Sequence, residues 1–385
     1  MKDIVDTITR AYERDAASPP SALTATDIPW SSESMTPAWF TAVLCRNTPG
    51  AKVEHIVLGE RDDGSTNRRH IELRYNEAGR AARLPERLFC KVADQLLNRI
   101  MLGAAGTAQA EVFFFNNLRA KLPIEAPRAL FAGFDEESFA YAVVFEDLSD
   151  KVAFCDESTV IDRARAESMV TLLADFHAAF HQDPALGTPA VPYRPWPEFW
   201  GNLMLHSPGW DDSSRRSIDR MGERVPPPLL ARRDEIWPCT EASVRAHAAL
   251  PQTLMHSDVH LKNWYAMPDG TMGLSDWQIM SIGNWSRDFV YAVTTALAVE
   301  DRRAWEDDLL RLYLERSAQN GVGAPSFDEA RLLCRQQVFS ALAFWTVTLC
   351  PAQNMPSMQP EKTSLVFIER LLTSIDDHDA LDSFS

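Results

Sequence analysis

Hydrophobic and polar positions follow two different periods along the chain. Between about residues 52 and 146 the apolar residues come in short runs rich in β-branched and aromatic side chains: KVEHIVL, RHIELRY, LFCKV, RALFAG and FAYAVVF. Turn-like clusters such as ERDDGSTN and FDEES separate them, so the pattern predicts five strands. One segment inside this region is helical: Val112, Phe115 and Leu118 recur at helical spacing between Thr107 and Lys121, with Glu111 on the same turn. Ahead of the strands, Thr36 and Pro37 open TPAWFTAVL as N-cap and first helical position. After EDLSD the period becomes 3.6. Met169, Leu172, Leu173, Phe176 and Phe180 make one apolar stripe, and the pattern returns in DRRAWEDDLLRLYLERSAQ, EARLLCRQQVFSALAFWTVTL and SLVFIERLLTSI. A β-rich part over residues 1–148, with an N-terminal extension 1–50, and a helical part over 149–385 predict an α+β chain of two lobes. A ligand site is expected in the cleft between them.

Composition narrows the partners. With 54 acidic against 38 basic residues, a formal charge of -16 disfavours nucleic acid and anionic membranes, which would repel the chain. Any nucleotide site must then be locally positive, through a lysine, helix N-termini or bound cations. Six cysteines lie scattered with no C-x-x-C pair, as expected of reduced thiols in a cytoplasmic protein. The opening MKDIVDTITRAYERD lacks the apolar core of a secretory signal, and the longest nearly uncharged apolar run, FVYAVTTALAV, is about half a membrane span. A soluble protein is expected, and nothing in the pattern sets its oligomeric state.

HSDVHLKN, residues 256–263, carries the densest candidate chemistry. His256, Asp258 and His260 alternate, which on a strand would form a metal cage and suggest a metal-dependent hydrolase. The same residues read as H-x-D-x-x-x-x-N, the spacing of a phosphoryl-transfer loop. Downstream, NWYAMPDGTMGLSD has turn residues at Pro268, Asp269 and Gly270 and predicts a hairpin with Asn263 opposite Asp276. An amide and a carboxylate facing each other, with Asp258 nearby, suit a hard cation such as magnesium.

HSDVHLKN followed by LSDWQ resembles the catalytic core of the aminoglycoside phosphotransferase and choline kinase superfamily, and VVFEDLS resembles its hinge. EDL and TPAWFTAVL are most similar to its ecdysteroid-kinase-like branch. The resemblance implies a protein-kinase-like bilobal fold and an ATP-dependent, magnesium-assisted transfer of the γ-phosphate to a hydroxyl of a small molecule. It implies Asp258 as the catalytic aspartate, and Asn263 and Asp276 as magnesium ligands. Lys91 on the LFCKV strand becomes the phosphate-binding lysine, with Glu111 as its ion-pair partner. Gly64, Ser65, Thr66 and Asn67 would lie over the phosphates, with adenine against the backbone near Glu146 and Leu148.

The alternatives are a non-catalytic nucleotide-binding module and the metal-dependent hydrolase. Gly59 and Gly64 have the spacing of a P-loop, but Ser65 stands where that motif needs lysine. Ser257 and Ser275 depart from the pattern of relatives without removing a functional group, whereas the short segment from Asp276 to Asp288, the absence of A-P-E and Gln278 in place of the D-F-G glycine disfavour protein substrates. His177 is expected to pack under the catalytic loop and Asp288 to cap the helix after it. The acceptor is expected near Trp196, Trp200 and Trp210, with Phe344 and Trp345. Acidic charge suits a cationic acceptor and aromatic content a sterol-like one.

Overall fold

The computed structural model describes residues 2–353, 355 and 358–384. Contacts divide the chain into two compact units, one of Met1–Lys121 with Pro127–Asp150 and one of Leu122–Ala126 with Lys151–Ser385.

The first unit contains α1 (Lys2–Ala17), α2 (Pro37–Leu44), β1 (Val53–Asp63), β2 (Asn67–Tyr75), α3 (Glu77–Ala81), β3 (Arg87–Val92), α4 (Leu96–Ala105), α5 (Thr107–Phe113), β4 (Ala129–Phe134) and β5 (Tyr141–Glu146). Its five strands form one sheet in the order β1-β2-β3-β5-β4, every neighbouring pair antiparallel. Alternation along β5 explains the layers. Ala142 and Val144 join Trp39, Phe40 and Val43 of α2 in one apolar cluster, while Tyr141, Val143 and Phe145 join Leu102 of α4 and Ala108 of α5 in another. β5 is buried on both faces and so reads as a continuous apolar run. The Thr36 hydroxyl accepts the Trp39 N–H and Pro37 opens α2, as its sequence indicates.

Two features of this unit go beyond the predicted pattern. The helix bearing Glu111 does not run on to Lys121: it loosens into a π turn over Phe114–Leu118 and tightens into a 3-10 turn over Arg119–Lys121. α1 docks on α4 around Arg99, a fully buried guanidinium that donates to Asp15 Oδ2 (3.1 Å), Ala93 O (3.1 Å) and Ser138 O (3.0 Å). The rings of Tyr12 and Trp30 lie 5.4 and 5.5 Å from it. A charge without water needs this many partners.

The second unit is mainly helical: α6 (Arg163–Ala178), α7 (Trp196–His206), α8 (Trp210–Met221), α9 (Pro227–Ala231), α10 (Ile236–Ala246), α11 (Ser286–Ala296), α12 (Val299–Gln319), α13 (Phe327–Leu349) and α14 (Glu361–Asp377). Two small sheets sit among them. β6 (Ala153–Phe154), β8 (Trp264–Ala266) and β9 (Met272–Leu274) form one, and β7 (Thr253–Met255) pairs with β10 (Ser281–Gly283) in the other. The predicted stripe is buried at Met169, Leu172, Leu173 and Phe176 of α6, and at Phe180 just beyond its end. Among the described residues no helix is long and apolar enough to cross a membrane. One unit is therefore built on a sheet and the other on helices, the α+β division that the two periods predict.

Candidate functional site

In the first unit, strand alternation selects the side of the sheet on which Lys91 lies. Cys90 and Val92 belong to the cluster under α2, so Lys91 between them faces the α4 and α5 side, in register with Val143. There its Nζ meets Glu111 Oε1 at 2.9 Å, with the Lys91 side chain 9% and that of Glu111 0% exposed. The Tyr141 hydroxyl donates to the other Glu111 oxygen. Burial at both ends makes this a fixed ion pair rather than a solvated lysine on an edge strand.

Gly64, Ser65 and Thr66 form the turn between β1 and β2, closed by Gly64 N–H donating to Thr66 O at 2.9 Å. Asn98 of α4, itself buried, donates its amide to Gly64 O (2.6 Å) and Ser65 O (2.8 Å) and so holds the turn from below. Asn67 is the first residue of β2 and is committed to the framework: it donates to Asp63 Oδ1 at 2.7 Å and accepts Asp94 N–H at 3.0 Å. At the end of β5, Glu146 is exposed and Leu148 half-buried. Between them Asp147 is buried, accepting from Arg87 Nη2 (3.0 Å), Ser149 N–H (2.8 Å) and His70 Nδ1 (3.1 Å).

In the second unit the chain leaves β7 at Met255 and turns sharply, with Ser257 at φ +70. Asp288 secures the turn by accepting His256 N–H at 2.7 Å and Ser257 N–H at 3.0 Å. It is not the N-cap that its position suggests. α11 begins at Ser286, and the fully buried carboxylate serves the loop instead. His177 donates Nε2–H to Asp288 at 3.3 Å and accepts the Tyr313 hydroxyl at 2.8 Å, under the loop as expected. Arg287 donates to Ser257 O at 2.7 Å. Burial pushes the Asp288 carboxyl up, but His177, Arg287 and His256 outweigh it and hold the group below the usual carboxylate range.

His256 braces the loop with both ring nitrogens: Nε2–H donates to Ser275 O at 2.9 Å and Nδ1 accepts Asp258 N–H at 3.2 Å. A metal cage of His256, Asp258 and His260 is thereby excluded. Among the described residues no group of three or more His, Cys, Asp or Glu side chains is arranged to hold a metal ion. Asn263 donates its amide to Asp258 O (2.7 Å) and Oδ2 (3.2 Å), and His260 Nε2 lies 3.6 Å from the same oxygen. Burial raises the Asp258 carboxyl, and the adjacent imidazole of His260, with His256 and Arg287, brings it below its ordinary value.

The hairpin register differs by one residue from the symmetric turn. Trp264 pairs with Leu274, Tyr265 with Gly273 and Ala266 with Met272, so Asn263 lies across from Ser275, whose N–H and Oγ both reach Asn263 O at 2.8 Å. The cause is the turn and the cross-strand pair. A five-residue loop closes with Met267 N–H on Thr271 O (2.8 Å), and the Tyr265 ring covers Gly273, where a Cβ would run into it. Asp276 stands one residue past the pairing at φ +62, a conformation rare outside glycine. Asn263 spends its nitrogen on Asp258, so its side-chain oxygen is the atom that could take a cation. That oxygen and the Asp276 carboxylate are the hard donors magnesium takes alongside phosphates and water.

Sequence reasoning missed Tyr141, Asp147, Asn98 and Arg287. Tyr141 carried a signal, since it shares the Lys91 face of the sheet two residues from the Lys91 partner. Arg287 carried none.

Among solved structures, the chain is similar to a GDP complex of a mutant aminoglycoside 2′-phosphotransferase-IIIa (11% identity, covering 90% of this chain and 98% of that one, TM-score 0.48). It is also similar to an ethanolamine kinase of Plasmodium vivax (9%, 95% and 93%, 0.49) and a choline kinase of Streptococcus pneumoniae (10%, 84% and 94%, 0.45). No curated protein matches the sequence. The family model described as APH, phosphotransferase enzyme family, matches residues 68–332, more than half of the 385 residues. The chain therefore belongs to the phosphotransferase enzyme family.

Proposed function

We propose that the protein is a small-molecule kinase that moves the γ-phosphate of ATP to a hydroxyl of its acceptor. The observation that carries this reading is Asp258: an ionised carboxylate, 20% exposed at its side chain, fixed by Asn263 and His260 on a loop that Asp288 holds rigid. An aspartate so placed orients a hydroxyl and takes its proton as the new oxygen–phosphorus bond forms and the bond to the leaving ADP oxygen breaks. Asn263 and Asp276 would hold magnesium, which supplies neutralisation of phosphate charge. Lys91, fixed by Glu111, binds the phosphates, the turn Gly64–Thr66 offers them backbone N–H groups, and the backbone near Glu146 and Leu148 takes the base. In this reading residues 1–148 serve the nucleotide and 149–385 the catalytic loop and acceptor. The ecdysteroid-kinase-like branch rests on the EDL and TPAWFTAVL motifs alone.

The test compares Asp258→Asn with the parent protein for transfer from ATP to a panel of small alcohols, followed by mass spectrometry. Transfer falls about 100- to 10,000-fold, the usual weight of a general base, while calorimetry shows MgATP binding retained. Nucleotide binding by the parent protein without transfer to any acceptor would leave the non-catalytic module instead.

A further inference from the structure

Trp196, Trp200 and Trp210, the aromatics that sequence suggests as an acceptor platform, are 0%, 6% and 2% exposed, so they are core. What the core presents outward is a different set. Leu203, Met204, Ile279, Phe344 and Met358 are half-buried and pack against that cluster, which also contains Met255 at the start of the catalytic loop. Ile279 stands three residues after Asp276. The apolar wall thus shares its underlying core with the start of the loop that bears Asp258.

Charge is missing from the segments that carry these five residues, although Trp237 of α10, also half-buried on the cluster, has Glu235 and Glu241 near it in sequence. Phe199–Trp210, Trp277–Ser286 and Gln336–Pro360 contain no Asp, Glu, Lys or Arg, in a chain that is 24% charged with a net charge of -16. A polycationic acceptor needs carboxylates close to its ammonium groups. The charged groups beside the wall are cations: the buried Arg287 guanidinium lies 5.7 Å from the Phe344 ring, and Lys262 Nζ donates to Gln359 Oε1 at 2.7 Å, next to Met358. A second observation points to a ligand. Gln278, adjacent to Ile279, is 5% exposed, and its amide nitrogen is buried without a protein acceptor. A buried donor of this kind is open to an acceptor oxygen from outside the chain, from water or from a ligand.

We infer that the acceptor is a neutral alcohol with a hydrophobic body, seated on the wall of Leu203, Met204, Ile279, Phe344 and Met358, and not an aminoglycoside or other polycation. This rests on the kinase reading above and names its substrate class. The wall contributes binding through burial of apolar surface, so affinity tracks the length of the apolar body rather than ionic strength.

The experiment titrates the full chain with hexan-1-ol, octan-1-ol and decan-1-ol, and with choline and kanamycin, by calorimetry. Affinity for the alcohols rises about fourfold per methylene, the transfer free energy of one buried CH2. Met204→Glu and Phe344→Ala, whose folding is checked by circular dichroism, each weaken decanol binding by about tenfold or more. Choline and kanamycin give no heat. A flat alcohol series, alcohol binding unchanged in both variants, or tight kanamycin binding overturns the inference. The same samples, supplied with MgATP, are assayed for phosphoryl transfer. Alcohols that bind as described but are never phosphorylated overturn the kinase reading and leave the site. Transfer to choline or kanamycin with no alcohol binding overturns the site and leaves the kinase reading.

Discussion

Asp288 accepts two consecutive backbone N–H groups in the loop that leads to Asp258, where Ser257 adopts φ +70. A left-handed serine costs roughly 1–2 kcal/mol, and the carboxylate and Arg287, gripping both sides of Ser257, offset that cost together with the His256 brace. Asp288→Asn keeps the shape of the group but leaves Arg287 buried without its anion. Urea denaturation should show a loss of about 3–5 kcal/mol, as for a broken buried pair. The displaced loop should lower kcat by about 10- to 100-fold with the nucleotide KM little changed. A variant with the parent kcat would show that Asp258 is positioned by something else. Tyr141→Phe tests the first unit in the same way. Its hydroxyl helps fix Glu111, and a hydrogen bond to a charged group is worth about 1.5–3 kcal/mol. The expected result is a nucleotide KM raised about tenfold or more, approaching that of Lys91→Met, with kcat retained. Equal KM in Tyr141→Phe and the parent would remove Tyr141 from the phosphate-binding group.

The hairpin of β8 and β9 shows what a one-residue difference does at the scale of an element. Its register puts Asn263 opposite Ser275 and pushes Asp276 past the last pair, into the left-handed backbone conformation at φ +62. Gly273 makes the register possible because the Tyr265 ring occupies the place of a Cβ. That ring also ties the hairpin to the segment Leu122–Ala126 through the Tyr265 hydroxyl on Glu125 Oε1 at 2.8 Å. Gly273→Ala should therefore destabilise the protein by roughly 1–3 kcal/mol through overpacking, and Gly273→Ala with Tyr265→Leu should recover part of it. No recovery in the double variant would mean that the ring is not what excludes the Cβ. Sequence gave the existence of this hairpin from Pro268–Gly270 but not its register, because turn residues mark a reversal and side-chain packing fixes its centre. The five strands and the α6 stripe were readable for the opposite reason: burial repeats along them with a fixed period. The π turn after Glu111 and the buried Arg99 of α4 answer to tertiary packing, so no local pattern announces them.

Across the whole molecule, the acid side of the stability curve depends on histidines buried in neutral form. His247 is fully buried, its Nδ1 accepts Asn284 N–H at 3.1 Å, and burial together with the Arg287 charge brings its pKa down to about 3. His256 is also lowered by burial, against the pull of Asp288 and Asp258. In the unfolded chain both return to about 6.5. Because the folded pKa lies below the unfolded one, this contribution is complete above pH 6.5. It is lost as pH falls from there toward pH 3, when the unfolded chain binds protons the native protein refuses. The slope for one such histidine is about 1.4 kcal/mol per pH unit. Asp288 works in the same direction at lower pH: its depressed pKa adds stability above the unfolded value near 3.9, lost on further acidification. His247→Asn keeps an acceptor for Asn284 N–H and removes the titration. Urea unfolding measured from pH 7 to pH 4.5 should show stability falling in the parent, and less steeply in the variant by about one proton's slope. The variant's lower stability at pH 7, from lost packing, does not enter a comparison of slopes. Parallel curves for the two proteins would mean that His247 takes up its proton in the folded state near its ordinary pKa.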